Sequence, residues 1–286
     1  EYIKLANQTK NKNISKNILK NEISKFRNIK NIFSKINLSF NISEKLFQKK
    51  IIFIVGLPRS GTTLLHQLLS EAEDTYGFGE SIILGKFFEK NIFDKNFISK
   101  LLNKKTIEDQ LILTSNEIGQ KYASITNKNV FIDKMPPNFY WIGFIKLLFP
   151  NSKIIHIKRN LKDNCLSIYK NFFGTSDMDW SYNENNILRF VINYKNTIKF
   201  WKSFYKNKIY ELNYENLVKD QKEETKKLFK FCDLQWNEKI FDFYKTSKTI
   251  KTVSLYQVKK PIYQSSVNTG EKFTKYIDFL NRLEDL

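Results

Sequence analysis

The chain has 286 residues, with 48 Lys and Arg against 29 Asp and Glu, giving a formal net charge of +19. That length approaches the limit for one hydrophobic core, and 41% hydrophobic with 15% aromatic residues excludes a disordered or low-complexity chain. No apolar run reaches the ~20 residues that span a bilayer, so no transmembrane segment is expected.

In chain order, residues 1–50 are rich in Lys, Asn and Ser, with apolar positions at Ile14, Ile18, Phe26, Ile29 and Phe33. This spacing predicts amphipathic helix packed on the main body, an N-terminal segment 1–50 ahead of a domain 51–286. The chain opens on Glu1, not Met, so a longer parent chain is expected; no secretory signal is visible and a cytoplasmic location is expected. Ile51–Val55 reads as a buried parallel strand running into Gly56-Leu57-Pro58-Arg59-Ser60-Gly61-Thr62-Thr63 and a helix through Leu64, Leu65, Leu68 and Leu69. Further strands are predicted at Val130–Ile132, Lys153–Ile157 and Ile209–Leu212. Helices are predicted over Ile107–Ser124, Tyr140–Leu148, Asp163–Phe173 and Glu184–Tyr205. The alternation specifies an α/β fold: a three-layer, P-loop-like, mostly parallel sheet flanked by helices. From Thr249 to Gly270 the pattern weakens, and a final helix is expected after it.

Lysine is spread from Lys4 to Lys275, whereas arginine occurs five times, at Arg27, Arg59, Arg159, Arg189 and Arg282. A dispersed lysine surface favours solvation over a polyanion-binding stripe, so no nucleic-acid partner is expected. Cys165 and Cys232 are isolated thiols, and the two histidines, His66 and His156, fall in a helix and a strand. Neither a disulfide framework nor a metal site is expected.

A strand, a glycine-bounded turn and a helix present unpaired N–H groups and the positive end of the helix dipole, which together hold anions. Gly56 and Gly61 are spaced as in a Walker A loop, but Thr62 stands where that loop carries lysine. Without that lysine a nucleoside-triphosphate enzyme is disfavoured, although Asp133 at a strand end matches the place of a Walker B carboxylate. A second segment, Lys153 to Ser167, delivers Arg159 to a strand's carboxyl edge and puts Ser167 about two turns into the next helix. Two anion sites in one cleft imply a ligand with phosphate at both ends.

The loop Ile54–Thr63 resembles the 5′-phosphosulfate loop of sulfotransferases, and Arg159–Ser167 resembles their 3′-phosphate segment. Phe131-Ile132-Asp133-Lys134-Met135-Pro136, Tyr214-Glu215-Asn216-Leu217 and Thr252–Val267 agree in order, so the likeness covers roughly residues 50–270. It is nearest to bacterial sulfotransferase domains that often follow tetratricopeptide repeats, which are related to tyrosylprotein sulfotransferases.

The resemblance implies 3′-phosphoadenosine 5′-phosphosulfate (PAPS) as co-substrate, no metal, and transfer of its sulfuryl group to a hydroxyl. It assigns Pro58, Arg59, Ser60, Gly61, Thr62 and Thr63 to the 5′-phosphosulfate, and Arg159 and Ser167 to the 3′-phosphate. Tyr214 and Ser254 would contact the nucleotide. Arg59 and Lys134 would stabilise the transferring group, and Glu80 would be the base. Asp133–Lys134 as a strand-end ion pair is the competing reading of Lys134. Peptide tyrosine, a carbohydrate hydroxyl and a lipid are the acceptor classes left open, and the residues specify neither the acceptor nor an oligomeric state. The alternatives are a P-loop nucleotide kinase and a non-enzymatic basic module binding nucleotides or nucleic acid.

Overall fold

Among the described residues, five parallel strands form one sheet: β1 (Lys50–Gly56), β2 (Thr75–Gly79), β3 (Val130–Lys134), β4 (Lys153–Lys158) and β5 (Ile209–Asn213), in the order β2-β3-β1-β4-β5. The computed structural model describes residues 1–15, 18–39, 42–245, 260–284 and 286. Its helices are α1 (Tyr2–Asn11), α2 (Ile18–Phe33), α3 (Thr62–Ser70), α4 (Ile83–Asn91), α5 (Lys95–Leu102) and α6 (Ile107–Ala123). They continue with α7 (Ile142–Leu148), α8 (Leu161–Tyr169), α9 (Glu184–Tyr205), α10 (Tyr214–Lys219) and α11 (Gln221–Phe231).

Strand alternation divides the core. Ile51, Phe53 and Val55 of β1 join the apolar cluster built with α2, α4, α6, α7 and α9. Ile52 and Ile54 join the opposite cluster with Leu65, Leu68 and Leu69 of α3, Leu217 of α10 and Leu228 of α11. Both faces of the sheet are therefore covered, as an all-parallel sheet requires. The N-terminal segment contributes to this core: Phe33 meets Trp201 edge-on at 4.8 Å between ring centroids and Phe144 at 5.5 Å.

Four strands extend the predicted spans by one or two residues, but β2, Thr-Tyr-Gly-Phe-Gly, carries two glycines and has no strand signature in the sequence. The predicted helix Tyr140–Leu148 begins as a 3₁₀ turn over Pro136–Trp141, with proline leading the turn, before α7. α8 starts two residues early because the Asn160 side chain accepts the Asp163 N–H at 3.1 Å and caps it. The expected final helix is replaced by short 3₁₀ turns at Glu271–Phe273 and Asp278–Leu283, where Phe279, Leu280 and Leu283 all dock into the core. Tertiary burial outweighs helix propensity there.

Candidate active site

The site is assembled where the strands end. β1 stops at Gly56, and the chain turns into α3 through two residues with left-handed backbone, Arg59 at φ 67° and Gly61 at φ 104°. Gly61 is also demanded by space, because a Cβ there would stand 2.5 Å from a ring carbon of Tyr214. Thr62 and Thr63 open α3, so their backbone N–H groups are among those the helix leaves unpaired. Ser60 Oγ is buried and has no hydrogen-bond partner among the described residues. Arg59, Thr62, Thr63, Arg159, Tyr214 and Ser266 line the cavity above the loop.

α8 and Arg159, two residues ahead of it, brace this loop. Asn164 Nδ2 donates to the Pro58 carbonyl at 2.6 Å, and Arg159 Nη1 donates to the Arg59 carbonyl at 3.1 Å. Arg59 in turn donates from Nε to Ser167 Oγ at 3.2 Å, so the two segments that the sequence separates are in direct contact. The Arg159 guanidinium lies 4.9 Å from the centre of the Tyr214 ring, and Tyr214 Oη is 2.9 Å from Ser266 Oγ. Burial, then the adjacent Arg159 charge, push the Arg59 guanidinium below its ordinary value. Two neighbouring guanidinium groups in a half-buried cleft oppose each other until an anion joins them.

Glu80 and Lys134 close the other end. Gly79 at the end of β2 pairs in register with Asp133 of β3, which brings Glu80 Oε1 to 2.5 Å from Lys134 Nζ. Lys134 is 2% exposed and Glu80 43%, so the carboxylate is the member of the pair that faces solvent. Desolvation lowers the lysine's pKa, while Glu80 supports its charged form. The alternative ion pair, Asp133 with Lys134, is absent among the described contacts. Successive strand residues point to opposite faces, and Asp133 instead accepts hydrogen bonds from Tyr122 Oη and, at 3.1 Å, Asn138 Nδ2. Complete burial raises the Asp133 pKa to about 7. Its carboxylate lies in the core, which removes the resemblance to a Walker B ligand.

His66 falls in α3, the helix the sequence predicts for it, and its partner comes from β2. Nε2 accepts the Gly79 N–H at 3.0 Å and so holds the turn that precedes Glu80. Gly77 makes room for it, because a Cβ there would lie 2.6 Å from that same nitrogen. His156 is remote from this turn: Nδ1 is 3.2 Å from Glu211 Oε1, Nε2 meets Tyr194 Oη, and burial lowers its pKa.

Sequence reasoning missed three contributors. Asn164 holds the loop, Ser266 joins Arg159 to Tyr214, and Asp163 anchors the tail by accepting the N–H groups of Asn268 at 2.8 Å and Gly270 at 2.6 Å. A carboxylate in the first turn of a helix was the available signal for Asp163, although it caps a distant segment instead of its own helix. Ser254 lies outside the described residues. Among the described residues, no group of His, Cys, Asp or Glu is arranged to hold a metal ion, and no helix is long and apolar enough to cross a membrane.

Comparison with known proteins bears on the family and the fold. The sulfotransferase family model matches residues 52–238. An uncharacterized protein of Aquifex aeolicus is 33% identical over 247 residues, which are 80% of this chain and 31% of that protein; the chain thus spans about a third of that relative's length. A Caenorhabditis briggsae protein, provisionally named a protein-tyrosine sulfotransferase, is 21% identical over 83% of this chain and 86% of its own length. The sulfotransferase domain from the curacin biosynthetic pathway shares the fold with a TM-score of 0.51 at 17% identity, covering 83% of this chain and 96% of that one. With the family model matching residues 52–238, well over half of its length, the chain belongs to the sulfotransferase family.

Proposed function

We propose that the protein transfers the sulfuryl group of 3′-phosphoadenosine 5′-phosphosulfate to an acceptor hydroxyl, with Glu80 as the base. The observation that carries this reading is that Glu80 lines the same cleft as Arg59, Thr62 and Thr63. In this reading a carboxylate borders the groups assigned to the phosphosulfate. The donor set suits the co-substrate: buried Ser60 Oγ without a partner, the opening of α3, and two arginines at the far end.

In this reading Thr62, Thr63 and the α3 N-terminus hold the 5′-phosphosulfate. Arg159 and Ser167 take the 3′-phosphate, and Tyr214 and Ser266 border the nucleotide. Arg59 bridges the two ends, because its backbone belongs to the loop and its side chain reaches Ser167. Glu80 accepts the acceptor's proton as the new O–S bond forms and the bond from sulfur to the donor phosphate oxygen breaks. Adenosine 3′,5′-bisphosphate leaves, and Lys134 supplies positive charge to the oxygens in transit. The transferring group carries less charge than a phosphoryl, so these cations suffice for the roles assigned.

From Glu80 the cleft runs past Met135, Pro137 and Met178 to Tyr140, Trp141 and Trp180. Such a wall accommodates an aromatic ring, and the name of the C. briggsae relative makes peptide tyrosine the first acceptor to test. Calorimetric binding decides the donor: adenosine 3′,5′-bisphosphate should bind in preference to ATP with Mg²⁺. Tight ATP binding with none for the bisphosphate would establish the kinase alternative instead.

A further inference from the structure

Behind the nucleotide cleft lies a second, open cavity of about 460 Å³, bordered by β4, α8, α9 and the edge of β5. Its volume is that of a site for a small organic molecule. Leu57, Ile157, Leu161 and Ile198 supply apolar surface, and five of the other lining residues are basic. Lys158, Arg159, Lys195, Lys199 and Lys202 line it against a single carboxylate, Glu211.

That carboxylate is already shared. Glu211 lies 2.6 Å from Lys202 Nζ and 3.4 Å from Lys158 Nζ, and it also meets His156. Burial lowers the His156 pKa, so the ring adds no acidic partner and little charge of its own. Lys195 Nζ donates to a main-chain oxygen of Leu286. Lys199 has no described partner. Two buried polar atoms of lining residues are also unsatisfied, the donor Arg159 Nε and the acceptor Asn164 Oδ1 on a residue 1% exposed. Lys195 and Lys199 are exposed and solvated, so the unpaired donor that costs stability is the buried Arg159 Nε, unless a ligand supplies its acceptor.

We propose that this cavity is a second ligand site, taking a small amphipathic organic anion whose apolar body lies on Leu161 and Ile198 and whose acidic group meets Lys195, Lys199 and Arg159. Arg159 lines both this cavity and the nucleotide cavity. Negative charge in one therefore reduces the attraction that the other offers. By linkage, each ligand weakens the other by the same finite factor.

The test uses 8-anilinonaphthalene-1-sulfonate as a fluorescent probe of this chemistry, titrated onto the whole chain. One probe should bind per chain, inorganic sulfate should bind at least tenfold more weakly, and Lys195→Glu with Lys199→Glu should weaken the probe at least fivefold. The doubly substituted protein should keep its circular dichroism and its binding of adenosine 3′,5′-bisphosphate; if it does not fold, Lys199→Ala alone should weaken the probe at least twofold. Saturating bisphosphate should weaken the probe to a plateau. Complete displacement would place the probe in the nucleotide site, and an affinity indifferent to charge reversal would reduce it to apolar adsorption; either result overturns the proposal. No effect of bisphosphate would overturn the coupling through Arg159.

Discussion

His66 Nε2 accepts the backbone N–H of Gly79 at 3.0 Å, thirteen residues along the chain and immediately before Glu80. The ring's other nitrogen, Nδ1, lies 3.2 Å from Gln67 Nε2, so both sides of the imidazole are held. The bond to Gly79 fixes a left-handed glycine, φ 65°, at the end of a strand with little intrinsic preference for being one.

His66→Ala should therefore lower kcat by roughly 10–100-fold, because displacing a catalytic group by about 1 Å is enough for such a loss. Affinity for adenosine 3′,5′-bisphosphate should be unchanged. His66→Gln, which returns an acceptor at similar reach, should recover much of the rate. Equal losses for both variants would show that His66 serves packing alone.

Arg59→Ala and Arg159→Ala should each weaken bisphosphate binding by about 1.5–3 kcal/mol, the usual range for charged hydrogen bonds. The double variant should lose less than the sum, since Arg159 Nη1 also holds the Arg59 carbonyl and one substitution already disturbs the other's site. Calorimetric titration of the four proteins gives the coupling, and strict additivity would contradict a shared site.

Gly61→Ala tests the loop by itself. The new methyl meets the Tyr214 ring, and the required φ of 104° is strained for any L side chain. A loss of about 1–3 kcal/mol in folding stability is expected. Denaturant unfolding measures it, and an unchanged midpoint would show that the loop has another accessible conformation.

Lys134 should set an alkaline limit to turnover. Burial brings its pKa below the ordinary lysine value, so the ammonium is lost as pH rises through that lowered value, and the rate should fall with it. Lys134→Arg keeps the charge and should move the limit to higher pH, whatever its effect on the maximal rate. An unmoved limit in a pH–rate profile would assign it to another group.

Asp133 gives a stability signature. Its folded pKa of about 7 exceeds the unfolded value near 4, so the folded state holds the proton more tightly. The stabilisation from that proton is complete below about pH 4 and is lost as pH rises to about 7. Asp133→Asn stays neutral, so its stability relative to the parent should rise across that window by up to about 4 kcal/mol, using 1.36 kcal/mol per pKa unit. Urea unfolding at several pH values reads the slope, and a flat difference would mean the carboxyl does not titrate there.

Much of the fold follows from local pattern. Ile51–Val55 is apolar enough to be buried on both faces, and Glu184–Tyr205 carries its own cap in Asn183, whose side chain accepts the Asn186 N–H at 3.1 Å. The loop between Gly56 and Thr63 declares an anion site because its glycines and helix start are neighbours in sequence. The absence of lysine at position 62 already argued against a triphosphate.

What the chain alone could not state depends on residues brought together from afar. β2 is held as a strand by its pairing with β3 and by His66, which outweigh the poor propensity of Gly77 and Gly79. Lys134 takes Glu80 and not its neighbour Asp133 because adjacent strand residues face opposite ways. Arg59 and Ser167, 108 positions apart, touch only because β1 and β4 are adjacent in the sheet. The sequence by itself determined which residue types could bind a two-ended anion. Strand register and order decided which of them meet, since hydrogen-bond pairing between distant segments sets distances that local propensity does not encode.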